Sequence, residues 1–135
     1  VTLAMAAGTV LGVMSFAARG SVEAMVAQQA QAVANAYLQE ALATPFNDPA
    51  PPDNEGLRQN FDDVDDYTIV NDVGARDAAN VAIPELGNYN VTMTVVNTGG
   101  LVGIPAAAAK RVTVTVLHTS GLVVTATGYK TNYPP

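Results

Sequence analysis

Residues 1–44 read VTLAMAAGTV LGVMSFAARG SVEAMVAQQA QAVANAYLQE ALAT, and the fold turns on how this stretch is read. It holds no proline, and its charges are Arg19, Glu23 and Glu40, so residues 1–18 are uncharged throughout. A run of that length sits at the lower limit for a bilayer-spanning helix, which needs about 20 apolar residues. A small domain cannot bury such a helix on every side. Its expected destinations are lipid, or the middle of an assembly in which copies hide one another's apolar surface. Ala4, Gly8 and Gly12 fall four apart and form a row of small residues that lets helix backbones approach closely. Val1, Leu3, Leu11, Val13 and Phe16 supply apolar bulk around that row. The plainer alternative is that small residues are simply frequent in membrane helices. A secretory signal peptide is disfavoured, because neither a basic leading region nor a cleavage site is evident.

Past Arg19 the pattern becomes amphipathic. Val22, Val26, Ala30, Val33, Tyr37 and Ala41 recur at three- and four-residue spacing, while Gln28, Gln31, Asn35 and Gln39 take the opposite face. One helix therefore has two expected environments: residues 1–18 project, and residues 19–44 lay a stripe including Val22, Val26, Val33 and Tyr37 on a core. The helix is expected to end near Thr44, since Pro45 disfavours the α conformation in the residue before it.

Residues 45–87 read as a long irregular acidic connection, opening with Pro49, Pro51 and Pro52. Ten acids there face only Arg58 and Arg76, a local charge of -8 within a chain of net charge -6. Tyr67–Val70 suggests one short edge strand. Residues 88–135 then alternate with period two around Val91, Met93 and Val95, around Val112, Val114 and Val116, and around Leu122, Val124 and Ala126. Ser120-Gly121 marks a tight hairpin turn between the last two strands, and Thr98 to Ala108 a looser link between the first two. A three-stranded antiparallel meander has one apolar face to cover, and the stripe on the helix is the cover available. The expected fold class is α+β: a long N-terminal hydrophobic helix packed by its second half on a small antiparallel β-sheet.

Chemistry is largely excluded. The chain has no cysteine and one histidine, His118, which leaves no multidentate transition-metal site of the usual kind. Ser15, Ser21 and Ser120 lie outside any Gly-x-Ser-x-Gly turn, and Gly99, Gly100 and Gly103 precede no phosphate-loop lysine. No enzyme activity is expected. With Lys110-Arg111 as the sole adjacent basic pair, no nucleic-acid partner is expected either. Asn90-Val91-Thr92 matches a glycosylation sequon but falls within an expected strand. Asp62, Asp63, Asp65 and Asp66 could offer carboxylate oxygens to Ca²⁺. They lack the spacing and the glycine of an EF-hand loop, and the expected reading is a solvent-facing loop, tied to the head by Phe61 and Tyr67, with weak or no calcium affinity.

A projecting apolar helix, an irregular connection and an antiparallel sheet together resemble the type IV pilin and pseudopilin family, in particular minor-pilin and mannose-sensitive-haemagglutinin-type proteins. The resemblance extends to Ala18-Arg19 with the Gln-rich residues 27–42, to Ala36-Tyr37-Leu38-Gln39-Glu40 before Pro45-Phe46, to Arg58 through Tyr67 (RQNFDDVDDY) and to the ending Gly128 through Pro134 (GYKTNYP). It implies a subunit held in the bacterial inner membrane before assembly, processed by a prepilin peptidase, and polymerised by an assembly machinery into an extracellular filament. It also implies a local loss of helix around Gly8–Ser15 in the fibre, in line with the cost of helical glycine. Some pseudopilins use an acidic loop for calcium. The family's mature start, Phe-Thr-Leu-Ile-Glu, is matched only at Thr2-Leu3, and Met5 stands where the glutamate would be. The expected mature start therefore lies upstream, about a dozen residues away, which would also complete the ~20 apolar residues a spanning helix needs. The expected role is a structural filament subunit. Alternatives are a minor pilin or secretion pseudopilin that primes or tips a fibre, and, from another class, a membrane-tethered periplasmic binding module.

Overall fold

The period-two strands and the amphipathic helix do come together. A computed structural model of the chain describes residues 13–15, 20–49, 56–98 and 102–132. Among them, α1 runs Gly20–Leu42, and strands β1 (Val13–Ser15), β2 (Asn71–Asp72), β3 (Tyr89–Asn97), β4 (Ala109–His118) and β5 (Val123–Thr131) form one antiparallel sheet in the order β1-β5-β4-β3-β2. The class is α+β, with α1 packed across β4 and β5. Among the described residues no helix is long and apolar enough to cross a membrane.

The register explains the core. Val91 faces Val116, which faces Val124; Met93 faces Val114, which faces Ala126; Val95 faces Val112, which faces Gly128. Because side chains alternate across a strand, these rows share one face and the threonines between them take the other. Against the rows lie Ala30, Val33, Ala34, Tyr37, Leu38, Ala41 and Leu42 of α1, with Val26 packed at the margin. The side chain of Val22 lies outside the described residues. Leu38 and Leu42 approach β5 where it carries no side chain: a Cβ built on Gly128 would stand 2.9 Å from a methyl of Leu42 and 3.2 Å from one of Leu38. Gly128→Val is expected to push α1 off the sheet and to cost about 1–3 kcal/mol, measurable by urea unfolding.

The helix exit is closed by the sheet. Leu42 ends α1, and its carbonyl accepts from Lys130 Nζ at 2.9 Å. Lys110, the cross-strand partner of Lys130, reaches instead to the Phe46 carbonyl and to Asp65 at 2.8 Å, with its ammonium 4.1 Å from the centre of the Phe46 ring. Two lysines side by side would repel each other. Separate acceptors resolve this, and Lys130 supplies a donor to the Leu42 carbonyl that the helix end leaves open. Burial holds the Lys130 ammonium below its ordinary pKa.

Two expectations are corrected. A single helix over residues 1–44 is interrupted at residues 13–15, since Val13–Ser15 are extended and pair with Thr125–Thr127 of β5. The outer edge of β5 would otherwise leave a row of backbone groups without partners, and glycines such as Gly8 and Gly12 weaken a helix by about 1 kcal/mol each. Val13, assigned above to a helical packing core, is thus a strand residue; Val1, Leu3, Ala4, Gly8, Leu11, Gly12 and Phe16 lie outside the described residues. The second correction concerns Tyr67–Val70. The chain forms a 3₁₀ helix over Val64–Ile69, and the edge strand falls later, at Asn71–Asp72.

Candidate functional site

The connection from 45 to 87 is anchored by one arginine. Arg58, with its side chain 5% exposed, donates through Nε to Glu40 Oε2 at 3.0 Å and through Nη2 to Glu40 Oε1, a two-pronged pairing with α1. Its Nη1 donates to the Arg76 carbonyl at 2.9 Å and to Asp72 at 3.3 Å, and the guanidinium lies 4.0 Å from the centre of the Tyr37 ring. The planar fork of arginine suits such multiple recognition. Tyr67 donates its hydroxyl to Glu40 at 2.9 Å; Tyr37 donates to Asp72 at 2.7 Å and accepts from the Arg76 amide. The helix, two 3₁₀ turns, β2 and the loop after it thus meet at one cation.

The electrostatics follow from this burial. Burial opposes the Arg58 charge, but the Glu40 pairing outweighs it and the guanidinium is held above its ordinary pKa. Burial pushes the Tyr37 hydroxyl up to about 12, with the Arg76 amide pulling the other way and Asp72 reinforcing the rise. Tyr67 is raised by burial and by Glu40. Both oxygens of Glu40 and Oδ2 of Asp72 are engaged within the cluster. The role of the cluster is to hold the connection on α1.

Three of the four acids singled out as calcium candidates have tasks in the fold. Asp63 accepts from the Asp66 amide at 3.1 Å, and Asp66 accepts from the amides of Asp62 and Asp63 at 2.8 and 3.2 Å, a capping box that starts the 64–69 turn. Asp65 pairs with Lys110. The expected solvent-facing cluster is therefore corrected: Asp63 is 2% exposed and Asp66 6%. Phe61 and Tyr67 do meet, edge to face, at 4.9 Å. A different trio converges, with carboxylate oxygens of Asp48, Asp62 and Asp63 within 4.8 Å of one another. Burial holds the Asp63 carboxyl above its usual range, with the Asp66 amide working against the shift and the Asp66 charge for it. Since Asp63 already serves as a cap, millimolar calcium or chelator is expected to leave the thermal midpoint unchanged; a rise that grows with calcium concentration would establish a bound ion by mass action.

His118 sits at the end of β4 with its ring 4.7 Å from that of Tyr89, and its Nδ1 accepts from the Ser120 amide at 3.1 Å. These contacts shape the hairpin end. Among the described residues, one concavity is a cleft of about 400 Å³ between α1 and the loop over 75–86. Its walls are apolar: Ala32, Val33 and Ala36 on the helix side, Ala78, Ile83 and Leu86 on the other, with Arg58 and Glu40 at one end. Gly74 permits this loop to close, because its φ of +86° is a backbone state that side chains disfavour, and a Cβ there would meet the backbone of Gly87 at 3.3 Å. The sequence marked the loop only as irregular, and Ala32 and Ala36 do not stand out in α1, whose core face also carries Ala27, Ala30, Ala34 and Ala41. No family model, curated protein or solved structure matches this chain.

Proposed function

We propose that the chain is a structural subunit of an extracellular filament of the type IV pilus kind, polymerising through the apolar residues that precede β1. The observation that carries this reading lies in the sequence, where an uncharged apolar run precedes α1. Such a run calls for lipid or for other copies of itself. The one-sided helix on an antiparallel meander is the arrangement that lets a head ride outside a bundle of such runs. The stretch-by-stretch resemblance described above points the same way, and under it the inner membrane holds the subunit before assembly, with a prepilin peptidase and the assembly machinery as partners.

Gly8→Leu and Gly12→Leu are expected to abolish filaments in sheared surface fractions, because leucine on the small-residue row blocks close approach. The urea-unfolding midpoint of the head should be unchanged in both. Normal filaments from both variants would remove the row from the assembly mechanism, and an absence of filaments from the unaltered chain would remove the filament reading itself. Abundance separates a main subunit from a minor or priming one: the former dominates the sheared fraction, the latter is scarce there but needed for assembly.

A further inference from the structure

We propose that the outer face of the sheet is an ice-binding surface, built from Thr-x-Thr pairs that lie in register on three adjacent strands. Thr92 and Thr94 on β3, Thr113 and Thr115 on β4, and Thr125 and Thr127 on β5 align as two rows. In the first, Thr92 faces Thr115, which faces Thr125; in the second, Thr94 faces Thr113, which faces Thr127. The residues between them, Met93, Val114 and Ala126, are buried in the core under α1, so the six threonines take the opposite face. Thr92 and Thr94 are exposed, and the other four are partly exposed between their neighbours. Among the described residues, no hydrogen bond engages any of the six hydroxyls.

Threonine favours strands, so its presence alone would report only a sheet. Two further features select the ligand. The first is charge. A solvated surface ordinarily carries Lys, Arg, Asp or Glu at about 25–35% of its positions, yet these rows hold none in a chain with six bases and twelve acids. Arg111, between Val96 and Tyr129, stands beyond the second row, and the paired Leu117 and Val123 stand beyond the first. A charged group keeps a hydration shell that an ice lattice cannot adopt, whereas a neutral face matches a neutral crystal. The second feature is spacing. Strands ~4.8 Å apart, with every second residue ~6.8 Å along, set the hydroxyls on a rectangular net. Those repeats come close to the repeats of oxygen rows on the prism face of hexagonal ice. Each hydroxyl offers one donor and two acceptors to lattice water, and the restricted χ1 of threonine fixes the net before contact, which lowers the ordering cost of binding. Twist of ~20–25° per strand confines the match to this three-strand width. The proposal is independent of the filament reading, although a filament would repeat the net along its length and multiply weak contacts.

The test grows ice slowly from a solution of the full chain mixed with an unrelated soluble protein, and measures how each divides between ice and liquid. The chain is expected to be enriched in the ice several-fold over its companion; equal exclusion of both overturns the proposal. Thr113→Lys with Thr115→Lys, at the centre of the net, should abolish the enrichment, and Gln28→Lys, exposed on α1, should leave it unchanged. Enrichment that survives the double lysine variant overturns the assignment to this face, as does its loss in Gln28→Lys. A urea-unfolding midpoint equal to that of the unaltered chain shows that the sheet of a variant is intact. If the central pair lowers that midpoint, Thr92→Lys with Thr94→Lys, both exposed on β3, takes its place with the same loss expected and the same overturning result.

Discussion

Glu40→Ala is expected to cost about 3–5 kcal/mol, the penalty for leaving one member of a buried ion pair without its partner. Arg58 is 5% exposed in its side chain, and Glu40 takes two of its donors. The variant would leave Arg58 with Asp72 at 3.3 Å and the Arg76 carbonyl, and would also strip Tyr67 of its acceptor. Since Glu40 lies on α1 and Arg58, Tyr67 and Asp72 lie on the connection, the loss should fall on the docking of residues 56–76 and expose them to proteolysis before the sheet unfolds. The joint replacement Glu40→Leu with Arg58→Met should cost less than the single change, because the Arg58 charge is then not left buried and Asp72 keeps the Tyr37 hydroxyl as a donor. Urea unfolding of the three chains checks the ordering. A single-variant cost under about 1 kcal/mol, the size typical of an exposed pair, would show that solvent reaches the cluster.

Alkaline pH should attack the same place. The folded-state pKa of Tyr37 is raised from 10.0 to about 12 and that of Tyr67 is raised as well, in each case first by burial. For groups whose folded pKa lies above the unfolded one, the stabilisation is fully present below the unfolded pKa and is lost as pH rises through the folded one. Stability should therefore hold to pH 10 and fall between pH 10 and 12. Tyr37 alone should account for about 2–3 kcal/mol of that fall, at 1.36 kcal/mol per unit. Tyr37→Phe is expected to be less stable at neutral pH, since Asp72 and the Arg76 amide lose a partner, yet flatter across the alkaline window. An unchanged slope in Tyr37→Phe would mean that other groups govern alkaline unfolding.

The class of the fold was legible because it rests on periodicity. Val91, Val112 and Val124 sit in period-two runs that any sheet with one covered face requires, and Val33, Tyr37 and Ala41 recur at the spacing of one helix face. All six are buried in one core. The hairpin at Ser120-Gly121 was equally local: Gly121 has φ +99°, a state that its residue type permits. The extent of the stripe was less visible. Leu38 and Leu42 press on β5 because Gly128 lies opposite them, a fact about register that no single segment carries.

Residues 45–87 show the boundary most clearly. Their composition determined that they would be acidic and irregular, but the fate of each charge depended on partners far along the chain. Asp65 meets Lys110 and Arg58 meets Glu40, across 45 and 18 residues, and only the packing of α1 on the sheet brings those pairs together. Asp63 and Asp66 are the exception that was readable in principle, since an Asp three residues ahead of another can cap a helical turn whatever surrounds it. By itself the sequence determined the alternation of strands, the amphipathic face of α1 and the uncharged run at 1–18, because each is a property of neighbouring residues. The tertiary structure alone decided that Asp63 and Asp66 would be buried, that Asp65 and Arg58 would find their ion-pair partners, that Val13–Ser15 would lie on the edge of β5, and that an apolar cleft would open beside Ala36. Those outcomes depend on which backbone groups and charges lack a partner once the layers have packed, and that is settled by contacts distant in the chain.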